Sequence, residues 1–382
     1  MGLPPLGLYI HLPWCERKCP YCDFNSHETD SLPEGAYIDA LIEDLGREIR
    51  DERRPIETIF IGGGTPSLFS VAGISRLMDS IRELTTLATD AEITMEANPG
   101  SVERARLAGY AQAGITRFSL GIQSFDDNCL TALGRVHNAA AASAAVAAAR
   151  QTGIKSFNID LMHGLPRQNL TQGLADIRTA LALEPPHLSW YQLTIEPNTR
   201  FYSDTPILPS ENILGSLEEQ GTALLEAAGY RRYEVSAWAR PGQECRHNLN
   251  YWRFGDYLAI GAGAHGKVSF ADGRVMRYAK TRRPDDYLAP HGTARKARRY
   301  LSDEDKRGEF MLNALRLEAG FSLALFEART GLPADSLKTR LGKLSDQGLL
   351  ELDADEGIVR CTALGWRFLD DVVGHFFTEP AA

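Results

Sequence analysis

Cysteine is scarce in this sequence. Six cysteines in 382 residues are too few for a disulfide scaffold. Long apolar runs are missing as well: no stretch of about 18 uninterrupted hydrophobic residues occurs, so no segment is expected to span a membrane. Met1 to Tyr9 lack the basic stretch and hydrophobic stretch of a secretory signal. A cytoplasmic location is expected, with at most a peripheral association with a membrane. Positive charge is in deficit, with 41 Lys and Arg against 50 Asp and Glu and a net charge of −9. A general nucleic-acid binder needs a basic face for phosphates, so nucleic acid is not an expected partner.

The cysteines that are present are unevenly placed. Cys15, Cys19 and Cys22 fall within eight residues, while Cys129, Cys245 and Cys361 are scattered and read as ordinary thiols. Up to about residue 230, short apolar runs alternate with helical patterns. Strands are expected at Leu8–Leu12, Thr58–Ile61, Glu92–Glu96, Arg117–Gly121, Ser156–Leu161 and Leu188–Leu193. Helices are expected at Tyr37–Arg50, Gly73–Leu84, Val102–Ala113, Ala139–Thr152, Leu170–Ala182 and Ile213–Ala228. Repeated strand–helix units predict an α/β fold with a parallel sheet and right-handed crossovers, as a partial (β/α)6 barrel or an open sheet. Chemistry in such folds sits at the C-terminal strand ends. The unusual residues fall there: the cysteines, Gly64-Thr65-Pro66, Glu96 before Asn98-Pro99, Gln123, and Asp160 before Gly164-Leu165-Pro166.

Two further regions follow, and the chain divides into 1–230, a barrel extension and linker over 231–300, and 301–382. Between Arg274 and Arg299 lie nine Lys or Arg opposed only by Asp285 and Asp286. Pro284, Pro290 and Gly292 interrupt this stretch, which reads as a linker with a solvated face, a contact for carboxylates being the alternative. Helices at Glu309–Leu317, Leu323–Thr330 and Asp335–Gln347, then a hairpin of Leu349–Leu352 and Gly357–Cys361, suggest a small winged-helix-like domain. Residues 301–382 carry nine basic and fifteen acidic side chains, so DNA binding is not expected of them.

Three thiolates on one loop can hold three irons of a [4Fe–4S] cube and leave the fourth iron open to a small molecule. A zinc site completed by His11 or His27 is the alternative. The spacing Cys15-x3-Cys19-x2-Cys22, with Tyr21 before the last cysteine, resembles the radical S-adenosylmethionine superfamily. That resemblance implies a [4Fe–4S] cluster whose open iron chelates S-adenosylmethionine. Gly62-Gly63-Gly64-Thr65-Pro66 is similar to the family's glycine-rich segment, where absent side chains let backbone approach the ligand.

Further motifs narrow the resemblance. Tyr9-Ile10-His11-Leu12-Pro13-Trp14-Cys15, Gly121-Ile122-Gln123-Ser124-Phe125, Leu133-Gly134-Arg135-Val136-His137 and Asn158-Ile159-Asp160-Leu161 resemble the oxygen-independent coproporphyrinogen oxidase group. Carried over position by position, Tyr9, Tyr21, Gly64, Thr65, Glu96, Gln123, Arg135 and Asp160 are the implied cofactor contacts. The oxidases carry a fourth cysteine two residues after the third; here that position is Phe24. Phe24 and the short leader before Tyr9 resemble instead the haem-chaperone (HemW) branch of the group. Its H-N-x-x-Y-W motif is matched by His247-Asn248-Leu249-Asn250-Tyr251-Trp252. The implied function is haem binding and transfer to an acceptor protein, with oxygen-independent coproporphyrinogen oxidation as the alternative. His247 is the expected haem ligand and His265, in Gly261-Ala262-Gly263-Ala264-His265-Gly266, its rival. The haem acceptor and the electron donor are partners whose identity the sequence does not give.

Overall fold

A computed structural model describes residues 2–293, 295–353 and 355–377. The main sheet has twelve strands, numbered in chain order: β1 Leu6–Leu12, β2 Ile56–Gly63, β3 Leu87–Ala97, β4 Arg117–Gln123, β5 Ser156–His163, β6 His187–Gln192, β7 Arg231–Glu234, β8 Ala237–Ala239, β9 Asp256–Ile260, β10 His265–Ser269, β11 Val275–Lys280 and β12 Arg295–Tyr300. Their spatial order is β12-β11-β10-β9-β1-β2-β3-β4-β5-β6-β8-β7. β1 to β6 are parallel neighbours, as the repeated strand–helix pattern requires, and β9 adds a seventh parallel strand beside β1. The remaining pairings are antiparallel.

Strand alternation sorts the residues. In β1, Leu6, Leu8, Ile10 and Leu12 enter the main core, while Tyr9 and His11 face a cavity on the other side. Helices α1 Glu34–Glu48, α2 Val71–Leu84, α3 Ser101–Ala113, α4 Ala139–Gln151, α5 Leu170–Ala182 and α6 Glu211–Ala227 provide the crossovers. Several begin on side-chain caps: Ser70 accepts from Gly73 N, Asn138 from Ala141 N, and Asn169 forms a capping box with Gln172. The alanine-rich α4 buries Ala142, Ala145, Val146 and Ala149, so small side chains let it lie close to its neighbours.

The stretch read as a linker is corrected by the structure: Val275–Lys280 and Arg295–Tyr300 are strands β11 and β12. Alternation in β11 buries Val275, Met276, Tyr278 and Lys280, the last against the carboxylates of Asp44 and Glu48 in α1. The charges that suggested solvent belong partly to an edge strand, where charge discourages pairing with other chains.

Beyond Tyr300 a second core gathers around Phe310, Phe321, Phe326 and Leu344, and it includes Phe254 and Val275 from the preceding region. Its first helix, Asp303–Ala314, starts six residues before the expected Glu309. Ser302 accepts from Asp305 N, and the Asp305 carboxylate returns to Ser302 N, a reciprocal cap that starts the helix early. The expected helix 335–347 is a 3-10 turn, Ala334–Leu337, leading into Lys338–Asp346. Phe321–Ser322, Leu350–Asp353 and Ile358–Cys361 form a three-stranded antiparallel sheet. No helix among the described residues is long and apolar enough to cross a membrane.

Candidate cofactor site

β1 runs into Trp14-Cys15, which pairs with His27-Glu28 and closes the loop carrying Cys19 and Cys22. Lys18 ties this loop internally: its backbone N–H donates to Glu28 Oε1 at 2.7 Å and its ammonium to the carbonyls of Phe24 and Ser26. The end of β2 lies directly against it. Gly64 N donates to Leu12 O at 2.8 Å and Thr65 N to Trp14 O at 2.7 Å. A Cβ on Gly64 would stand 2.5 Å from the Trp14 carbonyl oxygen and 3.0 Å from Cys15 Sγ, so only glycine fits.

All three loop cysteines line one cavity of about 340 Å³, together with Tyr21, Gly64, Thr65, Glu96, Gln123, Arg135 and Asp160. Ten of the twelve expected site residues are thereby brought together. The same cavity is lined by Asn98, Ser119, Ser189, Tyr191 and Trp252, which were not among the expected contacts. A signal for Ser119, Ser189 and Tyr191 was present, since they share inward-facing strand registers with Asp160.

The electrostatics favour a cationic or strongly polar guest. Glu96 is half-buried, accepts among the described residues from Gly63 N at 3.1 Å, and faces Asp160; desolvation first, then that second carboxylate, push its pKa up to about 8. Burial also raises Asp160, against hydrogen bonds from Asn158 Nδ2 at 2.6 Å and Ser119 Oγ at 3.1 Å. Arg135 donates to Asn98 Oδ1 at 2.7 Å and Gly121 O at 2.9 Å, and reaches Cys19 Sγ at 3.5 Å. Among the described residues its buried Nε has no hydrogen-bond partner. Gln123 sits at φ 69°, left-handed for a residue with a side chain, where the β4–β5 register slips. The irregularity turns its amide into the cavity, where Tyr191 donates to Oε1 at 2.9 Å.

This donor set fits an iron–sulfur cube. Three thiols border one volume beside a guanidinium that offsets thiolate charge, and Gly64 keeps backbone close to Cys15. The zinc alternative finds no converged ligand set among the described residues. His11 accepts from Tyr9 OH at 2.9 Å and donates to Asn25 O at 2.9 Å, and His27 Nε2 lies 3.3 Å from Asn25 Oδ1. Among the described residues, no three His, Cys, Asp or Glu side chains converge as ligands of one ion.

Tyr9 and His247 lie outside this cavity. Tyr9 lines a second, larger one of about 790 Å³ on the other side of Phe24, Gly63, Glu96 and Trp252, four residues that border both. His247 is the larger departure from expectation. It sits in α7, Arg246–Trp252, and is fully buried. Its Nδ1 meets Thr58 Oγ1 of β2 at 2.8 Å and its Nε2 meets Tyr251 OH at 2.8 Å. The N–H groups of Arg246 and His247 are both taken by Glu92 of β3. Burial holds the imidazole neutral and lowers its pKa to about 3. As a haem ligand this residue is therefore corrected: both ring nitrogens are spent on fixing α7 across β2 and β3, and no iron can reach them.

A parallel α/β sheet gathering three loop cysteines, a glycine-rich strand end and inward carboxylates over one cavity defines a radical S-adenosylmethionine protein. The model of the Radical SAM superfamily matches residues 9–177, and that of the HemN C-terminal domain matches 301–368. Heme chaperone HemW of Escherichia coli is 49% identical over 379 residues, covering 99% of both chains. Heme chaperone HemW of Bacillus subtilis is 34% identical, covering 97% of this chain and 99% of its own. The mitochondrial radical S-adenosyl methionine domain-containing protein 1 of Bos taurus is 34% identical over 97% of this chain and 87% of its own. Among solved structures, coproporphyrinogen III oxidase (HemN) of Escherichia coli superposes with a TM-score of 0.82 over 98% of this chain and 91% of its own, at 24% identity. That last likeness is one of fold. The chain belongs to the HemW family, and its cofactors are a [4Fe–4S] cluster and S-adenosylmethionine.

Proposed function

We propose that this chain binds haem and passes it to an acceptor protein. The scaffold would hold a [4Fe–4S] cluster on Cys15, Cys19 and Cys22, and S-adenosylmethionine against Gly64, Thr65, Glu96, Gln123, Arg135 and Asp160. When bound, the reduced cluster supplies an electron that can cleave the sulfonium. The chain's own residues orient and shield: Glu96 and Asp160 accept from polar groups of the guest, and Arg135 balances the thiolates. One observation carries the reading. Phe24, where the resembling oxidases have a cysteine, is 65% exposed on the wall between the two cavities. A phenyl ring can neither ligate metal nor relay a proton; it offers flat apolar surface to a macrocycle. The full-length similarity to proteins named heme chaperones supports the same conclusion.

The test is anaerobic reconstitution of the full chain with iron and sulfide, followed by parallel assays. About four irons per chain are expected, lost in Cys15→Ala, Cys19→Ala or Cys22→Ala and kept in Cys129→Ala. Added haem should bind stoichiometrically with a shifted Soret band. Coproporphyrinogen with reductant and S-adenosylmethionine should yield no protoporphyrinogen; multiple turnover there would restore the oxidase.

A further inference from the structure

We propose that His265 ligates the iron of the carried haem in the larger cavity, and that Arg282 and Arg277 receive the carboxylates of the porphyrin. The assignment rests on the haem-carrying reading above.

The cavity of about 790 Å³ falls in the range of cofactor sites, roughly 300–1,000 Å³. Its walls suit a flat ring that is apolar at its centre and anionic at one edge. Tyr9, Phe24, Trp252 and Tyr257 contribute aromatic surface. An imidazole that ligates iron in such a ring needs a free lone pair, and the tyrosine hydroxyls that line the cavity are already engaged, Tyr9 with His11, Tyr251 with His247 and Tyr257 with Arg277. Two histidines line this cavity, His11 and His265. Both nitrogens of His11 are occupied, by Tyr9 OH and Asn25 O. His265 opens β10, where alternation places it on the same face as Lys267, which also borders the cavity. Its side chain is exposed, and among the described residues neither ring nitrogen has a hydrogen-bond partner. Desolvation at the cavity wall, then the charges of Arg277 and Arg282, lower its pKa and favour the neutral ring.

The same two arginines account for the anionic edge. Lys267 and Lys280 also line the cavity, but both are already neutralised, Lys267 by Asp256 at 3.0 Å and Lys280 by Asp44 and Glu48. Arg282 is exposed, and among the described residues its guanidinium spends only Nε, on Asn25 Oδ1 at 3.4 Å. Arg277 uses Nε on Glu309 at 2.7 Å and Nη1 on Tyr257 OH, which leaves Nη2. Carboxylates of a haem held by His265 would meet these guanidinium groups.

Phe24 is fixed relative to His265. Asn25, the next residue, donates its amide to Ala262 O at 3.0 Å and Arg282 O at 2.9 Å, on either side of His265 in sequence. Gly263, at φ 79°, makes room: a Cβ there would lie 2.3 Å from Asn25 Nδ2. The loop that leaves Cys22 is thus pinned to the segment that presents the iron ligand, with the exposed phenyl ring at their junction.

The experiment titrates ferric haem into the full chain, as wild type, His265→Ala, His247→Gln and Arg282→Glu, with circular dichroism to confirm folding. Soret absorption and electron paramagnetic resonance report the ligand. The wild type should show an imidazole-ligated iron. His265→Ala should lose that signature and bind roughly tenfold more weakly, and added imidazole should restore the signature. Arg282→Glu should weaken binding without moving the Soret band, and His247→Gln should leave the spectrum unchanged. If wild type binds haem and folded His265→Ala keeps the same spectrum and resonance, the ligand assignment is overturned while the haem-carrying reading stands. If wild type binds no haem, that reading fails and takes the assignment with it.

Discussion

Glu96 concentrates the electrostatic cost of the smaller cavity. Its pKa is raised from 4.5 to about 8 in the fold, with Asp160 raised beside it. The sign follows from proton counting: above pH 4.5 the unfolded chain has lost a proton that the folded chain retains. The stability that Glu96 contributes to the cofactor-free protein is therefore complete below that pH and is lost as pH rises through about 8. Thermal melts across this window should show the decline, and Glu96→Gln should flatten it. Glu96→Ala should also weaken S-adenosylmethionine binding, read by calorimetry on cluster-loaded protein whose iron content is unchanged. At this scale the gathering of most candidate residues around one cavity was legible. The cysteines, Gly64, Thr65, Glu96, Gln123, Arg135 and Asp160 belong to motifs at strand ends, and topology brings strand ends together. His247 was not legible. A histidine followed by Tyr251 and Trp252 looks like a metal ligand with aromatic neighbours. Nothing local in the sequence shows that Thr58, almost two hundred residues away, occupies one nitrogen. Tyr251 occupies the other.

Between elements, the join of β11 to α1 is the clearest long-range bond that the sequence concealed. Lys280 is wholly buried and donates to Asp44, to Glu48 at 2.7 Å and to Thr293 O at 3.1 Å. Burial outweighs the nearby ammonium and pushes Asp44 up to about 6. Removing the ammonium leaves two buried carboxyls without their counter-charge. Lys280→Met is therefore expected to destabilise the fold by about 3–5 kcal/mol, measured by denaturant unfolding at neutral pH. Acidification should narrow the difference by protonating Asp44. A loss within error of a surface lysine substitution would refute the account. This region was misread because its basic residues, prolines and glycine resemble a linker. The signal that survived was the alternation in Val275-Met276-Arg277-Tyr278-Ala279-Lys280, obscured because its last inward position is a lysine. A charge reads as solvated until its partners, here more than two hundred residues earlier, are known.

On the scale of the whole molecule, the expected division at residue 300 is a boundary in sequence more than in packing. Phe254 and Val275 lie in the core of the C-terminal module, and Arg316 stacks on Trp252 at 4.4 Å while pairing with Glu234 at 3.3 Å. Residues 301–382 expressed alone should therefore melt well below the full chain. With nine basic side chains against fifteen acidic, they should not retain duplex DNA at physiological salt. Salt-sensitive binding in an electrophoretic shift would contradict that. The winged-helix outline was readable because its helices and hairpin are local; its attachment was not, because Arg316 and Trp252 meet only in three dimensions.

Phe24, Gly63, Glu96 and Trp252 each face two cavities. If S-adenosylmethionine and haem occupy these two cavities, their affinities are linked across this shared wall. Whatever factor S-adenosylmethionine imposes on haem affinity, haem must impose on S-adenosylmethionine affinity. Calorimetric titrations run in both orders should return one number, and Glu96→Ala should bring it closer to unity. In a carrier assembled in this way, any such factor other than unity would let the occupancy of one chamber set the binding constant of the other, with no separate sensor.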